Sequence, residues 1–181
     1  MDRALNRRDV TLAFGAIWAA VAVPAEGFAQ GAAWTPVALT AGQARILDIA
    51  AELIVPTTDT PGARAAGVPQ FVDRAVADYC SPAEAQAIRS GLDRMEADAR
   101  AAHGAGFTAI TSEQQTALLT RYDMEFRARR EGAFFPVLRE LVTVGYFTSK
   151  IGATQAVRYD PFPGAYRGCV PLSEIGRAWA T

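Results

Sequence analysis

The chain has 181 residues, half of them hydrophobic, and its 18 basic and 19 acidic residues leave a formal net charge of −1. That length suits one domain, with enough apolar residues to form a core without staples. The charge balance gives no broad electrostatic reason to bind nucleic acid or an anionic membrane surface.

The N-terminus carries the clearest local signal. In Asn6-Arg7-Arg8-Asp9-Val10-Thr11-Leu12 two adjacent arginines precede an uncharged apolar run from Val10 to Val23. Pro24 and then Gly27-Phe28-Ala29 follow, with small residues flanking a large one. This is the order of a basic region, an apolar region and a small-residue cleavage site. The pair Arg7 and Arg8 points to twin-arginine export, a route for folded cargo. Val10 stands where Phe is usual in such signals, and Leu12 where Lys is common. The uncharged run, about 14 residues, falls short of the ~20 that span a bilayer. The sequence therefore divides into a signal over 1–29 and a domain over 30–181. Whether the signal is cleaved or kept as an anchor stays open.

The body reads as helices. Thr40 with Gln43 makes a capping box, and Ile46, Leu47, Ala50, Leu53 and Ile54 recur at helical spacing until Pro56. Thr57 to Ala63 is turn chemistry throughout. A second helix from about Pro69 sets Phe71, Val72, Ala75, Val76 and Tyr79 inward. Ser81-Pro82-Ala83-Glu84 opens a third, with Ser as N-cap, Pro in the first turn and Glu three residues on. Ala85, Ile88, Leu92, Met95, Ala99 and Ala102 form its stripe, and His103-Gly104-Ala105-Gly106 ends it. Thr111 with Gln114 opens a fourth helix, with Leu118, Leu119, Tyr122 and Phe126 inward. A fifth runs from about Phe135, with Pro136 near its start and Leu138, Leu141 and Val142 inward. No stretch alternates as a strand does. The fold class is mostly α, an irregular bundle of about five helices with a loop-rich C-terminal tail.

Chemistry-bearing patterns are scarce. His103 is the only histidine and sits beside glycines at a helix end, where a capping or solvent-facing role is the simplest reading. No His, Cys and carboxylate cluster has metal-ligand spacing. Gly62, Gly67, Gly104 and Gly106 build neither a dinucleotide fingerprint nor a phosphate loop. Asp93, Glu96 and Asp98 read as a solvated helix face. Arg127, Arg129 and Arg130 with Glu125 and Glu131 read as mixed-sign ion pairs on a helix surface or interface. Cys80 and Cys169 lack the spacing of a redox, zinc or haem motif. In an oxidising space they are either one disulfide or two separate thiols, and sequence leaves both open. No catalytic constellation emerges, and the reading assigns no catalytic, cofactor-binding or metal residue to this chain.

Two segments stand out. The first is Ile54-Val55-Pro56-Thr57-Thr58-Asp59-Thr60-Pro61-Gly62-Ala63, continuing to Ala66-Gly67-Val68-Pro69. The second is Leu141 to Ser149, containing Gly145-Tyr146-Phe147-Thr148-Ser149, followed by Tyr159-Asp160-Pro161-Phe162-Pro163-Gly164-Ala165-Tyr166-Arg167-Gly168-Cys169. Their order and spacing, from about Thr40 to Cys169, resemble the gluconate 2-dehydrogenase subunit 3 family. Lys150-Ile151-Gly152-Ala153-Thr154 departs from the Gly-rich, Asn-containing loop expected there.

The resemblance implies an accessory role. Such a chain is the non-catalytic small subunit of a periplasmic, membrane-associated sugar or polyol dehydrogenase. It holds no cofactor of its own. A glucose-methanol-choline-type flavoprotein partner carries FAD, and a c-type cytochrome partner carries haem c. The flavoprotein travels out already folded on the small subunit, which also stabilises it, and membrane association comes through the complex. Pro61, Gly62, Tyr146, Phe147, Tyr159, Phe162 and Tyr166 are the candidate partner interface. Gluconate, glucosides oxidised at the 3-position, sorbitol and fructose are all open as substrates. Two rivals from other classes remain. One is an independent exported enzyme using Asp59, Asp73 and His103. The other is a stand-alone periplasmic chaperone or binding module.

Overall fold

The computed structural model describes residues 34–129, 134–160, 162, 164–165, 169–176 and 178–180. The leader with Arg7 and Arg8, the stretch with Arg130 and Glu131, and Tyr166 lie outside the described residues. Five helices form the body: α1 (Ala41–Ile54), α2 (Val68–Asp78), α3 (Pro82–His103), α4 (Ser112–Arg129) and α5 (Phe134–Thr148). A π-helical turn (Gly152–Ala156), β1 (Arg158–Tyr159), a one-turn α6 (Leu172–Ile175) and β2 (Trp179–Ala180) make up the tail. No helix among the described residues is long and apolar enough to cross a membrane.

Local chemistry sets the helix starts. Thr40 accepts from the Gln43 amide while the Gln43 side chain accepts from the Thr40 amide. Ser81 and Glu84 make the same reciprocal pair at α3, with Pro82 at the first helical position. Thr111 and Gln114 repeat it at α4. Each box satisfies two of the donors that a helix start leaves orphaned. Gly104 ends α3 at φ 73°, a left-handed conformation that glycine adopts without a Cβ clash.

α5 is the central helix and touches each of the other four. Its Phe135, Leu138, Val142 and Tyr146 join Leu47, Val72, Ile88, Leu92, Met95 and Phe107 in one core. Gly91 on α3 is what lets α5 approach, since a Cβ there would lie 2.1 Å from Phe134 Cδ2.

The apolar stripes hold in their centres and fail at their edges. Phe71, Tyr79 and Ala102 are exposed rather than inward, while Leu53, Ile54, Phe126 and Leu141 are half-buried. Each lies at the margin of its stripe or in a terminal turn of its helix. The acidic residues of α3 also differ from a simply solvated face. The Gln43 side chain donates to Asp93 (3.0 Å). The Phe107 amide donates to Glu96 (2.8 Å), which also pairs with Arg100. Asp98 accepts from the Tyr122 hydroxyl (2.7 Å) and pairs with Arg121. Each carboxylate ties α3 to a neighbour: α1, the α3–α4 turn, or α4. The mostly α reading holds, and the tail adds one short pairing: β1 and β2 run in parallel, Arg158 with Trp179 and Tyr159 with Ala180. Two residues are too few to leave an alternating pattern.

Candidate functional site

The two unusual sequence segments fold into one place. Tyr146, near the C-terminal end of α5, donates its hydroxyl to the Pro61 carbonyl (2.8 Å) in the α1–α2 turn, 85 residues away in sequence. A longer contact reaches Thr60 Oγ1 (3.4 Å).

The turn is built around Glu52 in the last turn of α1. Glu52 Oε1 accepts from the Thr57 amide (3.0 Å) and hydroxyl (2.7 Å), and Oε2 from the Arg64 amide (3.0 Å). Thr57 Oγ1 in turn accepts from the Gly62 amide (3.0 Å). Burial pushes this carboxyl up, but the bonds from Arg64 and Thr57, with the Arg64 charge, outweigh it and hold it below the usual Glu value. Gly62 is obligatory here, because a Cβ would sit 2.5 Å from Glu52 Oε1 and 2.6 Å from the Thr57 nitrogen. The Ala63 amide returns to the Val55 carbonyl (2.9 Å) and closes the loop.

The end of α5 is as tightly specified. A Cβ on Gly145 would lie 2.5 Å from Phe71 Cδ1, so this glycine lets the Phe71 ring of α2 lean on α5. Ser149 donates its hydroxyl to the Tyr146 carbonyl (2.6 Å) and accepts from the Gly152 amide (3.0 Å). A Cβ on Gly152 would lie 1.9 Å from the Tyr146 carbonyl oxygen, so the chain turns back against α5 through a glycine. This is where Lys150 to Thr154 departs from the expected loop, and the local answer is a π-helical turn rather than an open one.

The seven candidate interface residues therefore divide. Tyr146 is only 2% exposed and is an internal tie of this chain, not a free surface residue. Gly62 is buried and Pro61 half-buried within the turn that Tyr146 holds. Phe147 is 46% exposed, Tyr159 52% and Phe162 89%. Phe147 packs edge-on against Tyr146, with centroids 5.3 Å apart. Val144, three residues before Phe147, shares its exposed face of α5, while the Phe71 ring of α2 packs over Gly145 on another side of the helix. Reading the sequence alone missed Val144 and Phe71 as surface residues; Gly145, a small residue facing an aromatic, was the available signal. The result is an exposed apolar pair on α5, next in sequence to the Tyr146 that is tied to the Pro61 turn.

The remaining candidates stay apart. Cys80 is half-buried and Cys169 exposed, and they are not bonded to each other. Burial, and then the Glu84 charge, raise the Cys80 thiol above its ordinary value, which disfavours the reactive thiolate. Asp73 is buried, and its carboxylate accepts four hydrogen bonds, from Trp34, Val37, Ala38 and Leu39. His103 is exposed at the end of α3. Among the described residues no group of three or more His, Cys, Asp or Glu is placed to hold a metal.

A family model described as Gluconate 2-dehydrogenase subunit 3 matches residues 41–164. That span begins at the first residue of α1 and covers the whole first segment and the second as far as Gly164, including the Tyr146–Pro61 junction. No curated protein and no solved structure matches the chain.

Proposed function

The chain belongs to the gluconate 2-dehydrogenase subunit 3 family, and from that premise we propose that it is the non-catalytic small subunit of a periplasmic, membrane-associated, FAD-dependent sugar or polyol dehydrogenase. Its task is to cover and stabilise a flavoprotein of the glucose-methanol-choline type and to carry it through twin-arginine export. A c-type cytochrome takes the electrons. The observation that carries this reading is the junction of the two segments. Its inner half is consumed by internal bonds, and the exposed face of α5 beside it offers Val144 and Phe147 to a partner.

The distribution of polar groups supports a surface role. Glu52, Asp73 and Asp98 are each filled by donors from this chain, so they act as ties between elements. The hydride chemistry then belongs to the companion protein, together with the flavin and the choice of sugar.

Co-expression with the flavoprotein tests the reading. The two proteins should co-purify with flavin on the large subunit, and this chain alone should neither bind flavin nor oxidise a sugar. Replacing Arg7 and Arg8 by Lys should strand both proteins in the cytoplasm. An active, exported flavoprotein in cells lacking this chain would end the proposal.

A further inference from the structure

Asp73 is a buried carboxylate that the surface role does not use. It is 1% exposed on α2, at the helical position that joins Pro69, Val72 and Val76 on the buried face. Its four acceptor positions are filled by one short stretch. Oδ2 takes the Trp34 indole N–H (3.3 Å) and the Val37 amide (2.8 Å); Oδ1 takes the Ala38 (3.1 Å) and Leu39 (3.0 Å) amides. Three successive amides converging on one anion form a backbone nest, and a buried carboxylate is tolerated only when its hydrogen bonds are complete. The same stretch is held from the other side, because Arg89 Nε of α3 donates to the Ala38 carbonyl (3.1 Å).

These partners lie 34 to 51 residues from the strap they hold. The strap therefore closes only once α2 and α3 are in place. It occupies residues 34–39, between the proposed leader over 1–29 and the Thr40 cap of α1. We propose that Asp73 is a latch that sets the N-terminal edge of the folded domain, closing residues 34–39 onto a completed core downstream of the leader. This rests on the export reading above. For a route that carries folded cargo, the device keeps the leader's attachment point ordered only in a folded chain. It also ends processing at the strap, because a protease needs extended backbone and the strap's amides are engaged.

The test uses the full chain, with Asp73→Asn, Trp34→Phe and, as a control for general destabilisation, Leu92→Ala in the core of α3. Asp73→Asn replaces one oxygen by an amide that confronts N–H donors. Amide exchange at Val37, Ala38 and Leu39 should rise about tenfold or more relative to α5, and chymotrypsin cleavage after Trp34 should rise in parallel. Exported Asp73→Asn protein should show ragged starts between residues 34 and 40 where wild type shows one. Trp34→Phe, which keeps the carboxylate and removes one donor, should loosen the strap by a few fold. It decides the matter if Asp73→Asn does not fold. The proposal is overturned if strap exchange is unchanged in these variants, or if Leu92→Ala loosens the strap as much at equal global stability. Exchange and proteolysis need no export, so a loosened strap in a chain that leaves the cell by another route would sink the export reading alone.

Discussion

At Glu52 a single carboxylate organises the α1–α2 turn, and its ionisation follows from its donors. The folded value lies below the ordinary 4.5 because bonds from Arg64 and Thr57 outweigh burial. A lowered folded value means that the unfolded chain takes up a proton first on acidification. The stabilisation is thus fully present above about 4.5 and is lost as pH falls through the folded value. Urea unfolding of wild type and Glu52→Gln should differ most at neutral pH and converge towards pH 3. An unchanging gap would show that the turn does not depend on the charge. Tyr122 behaves oppositely. Burial first, then its bond to Asp98, lift its phenol above the usual value of about 10. Its contribution should hold through neutral pH and decline above about 10, where the unfolded phenol ionises; Tyr122→Phe should flatten that alkaline limb.

Between elements, the contest at Gly91 can be decided by magnitude. Glycine within a helix costs about 1 kcal/mol relative to alanine, so Gly91→Ala gains about that much in an isolated α3. In the bundle its Cβ would meet the buried Phe134 ring at 2.1 Å. Overpacking of this kind costs about 1–3 kcal/mol, so packing wins and the variant should melt several degrees lower. A melting point at or above wild type would mean that α5 moves away freely. The starts of α1, α3 and α4 were legible in the sequence because a capping box is a contact between residues three apart. Asp73 was not, although its place on the buried face of α2 was a usable hint: an acid beside Val72 reads as solvated until the amides of residues 37–39 are seen to meet it. The same holds for Asp93, Glu96 and Asp98, whose partners lie on other elements. Both segments of the candidate site were visible as motifs, but their junction was not, because Tyr146 and Pro61 are joined only by the packing of α5 under the turn.

Across the whole molecule, adjacent residues of α5 should separate folding from assembly. Tyr146 is buried with its hydroxyl on Pro61, whereas Phe147 is 46% exposed on the same face of α5 as Val144. Tyr146→Phe removes the donor and leaves a carbonyl partly unsatisfied, which should cost about 1 kcal/mol of the chain's own stability. The apolar surface offered to the proposed flavoprotein partner is untouched, so association should fall little. For Phe147, arginine is the informative replacement. A cation near the C-terminal end of a helix does not oppose its dipole, so the change penalises binding more than folding. Losing the edge-on contact with Tyr146 should cost at most about 1 kcal/mol. Burying an unpaired guanidinium against a partner costs far more, and co-purification should drop at least tenfold. Melting curves of the isolated chain and pull-downs with the flavoprotein give the two readouts. If Phe147→Arg binds as wild type does, the exposed face of α5 is not the contact, and the partner must rest on the tail around Tyr159 and Phe162 instead.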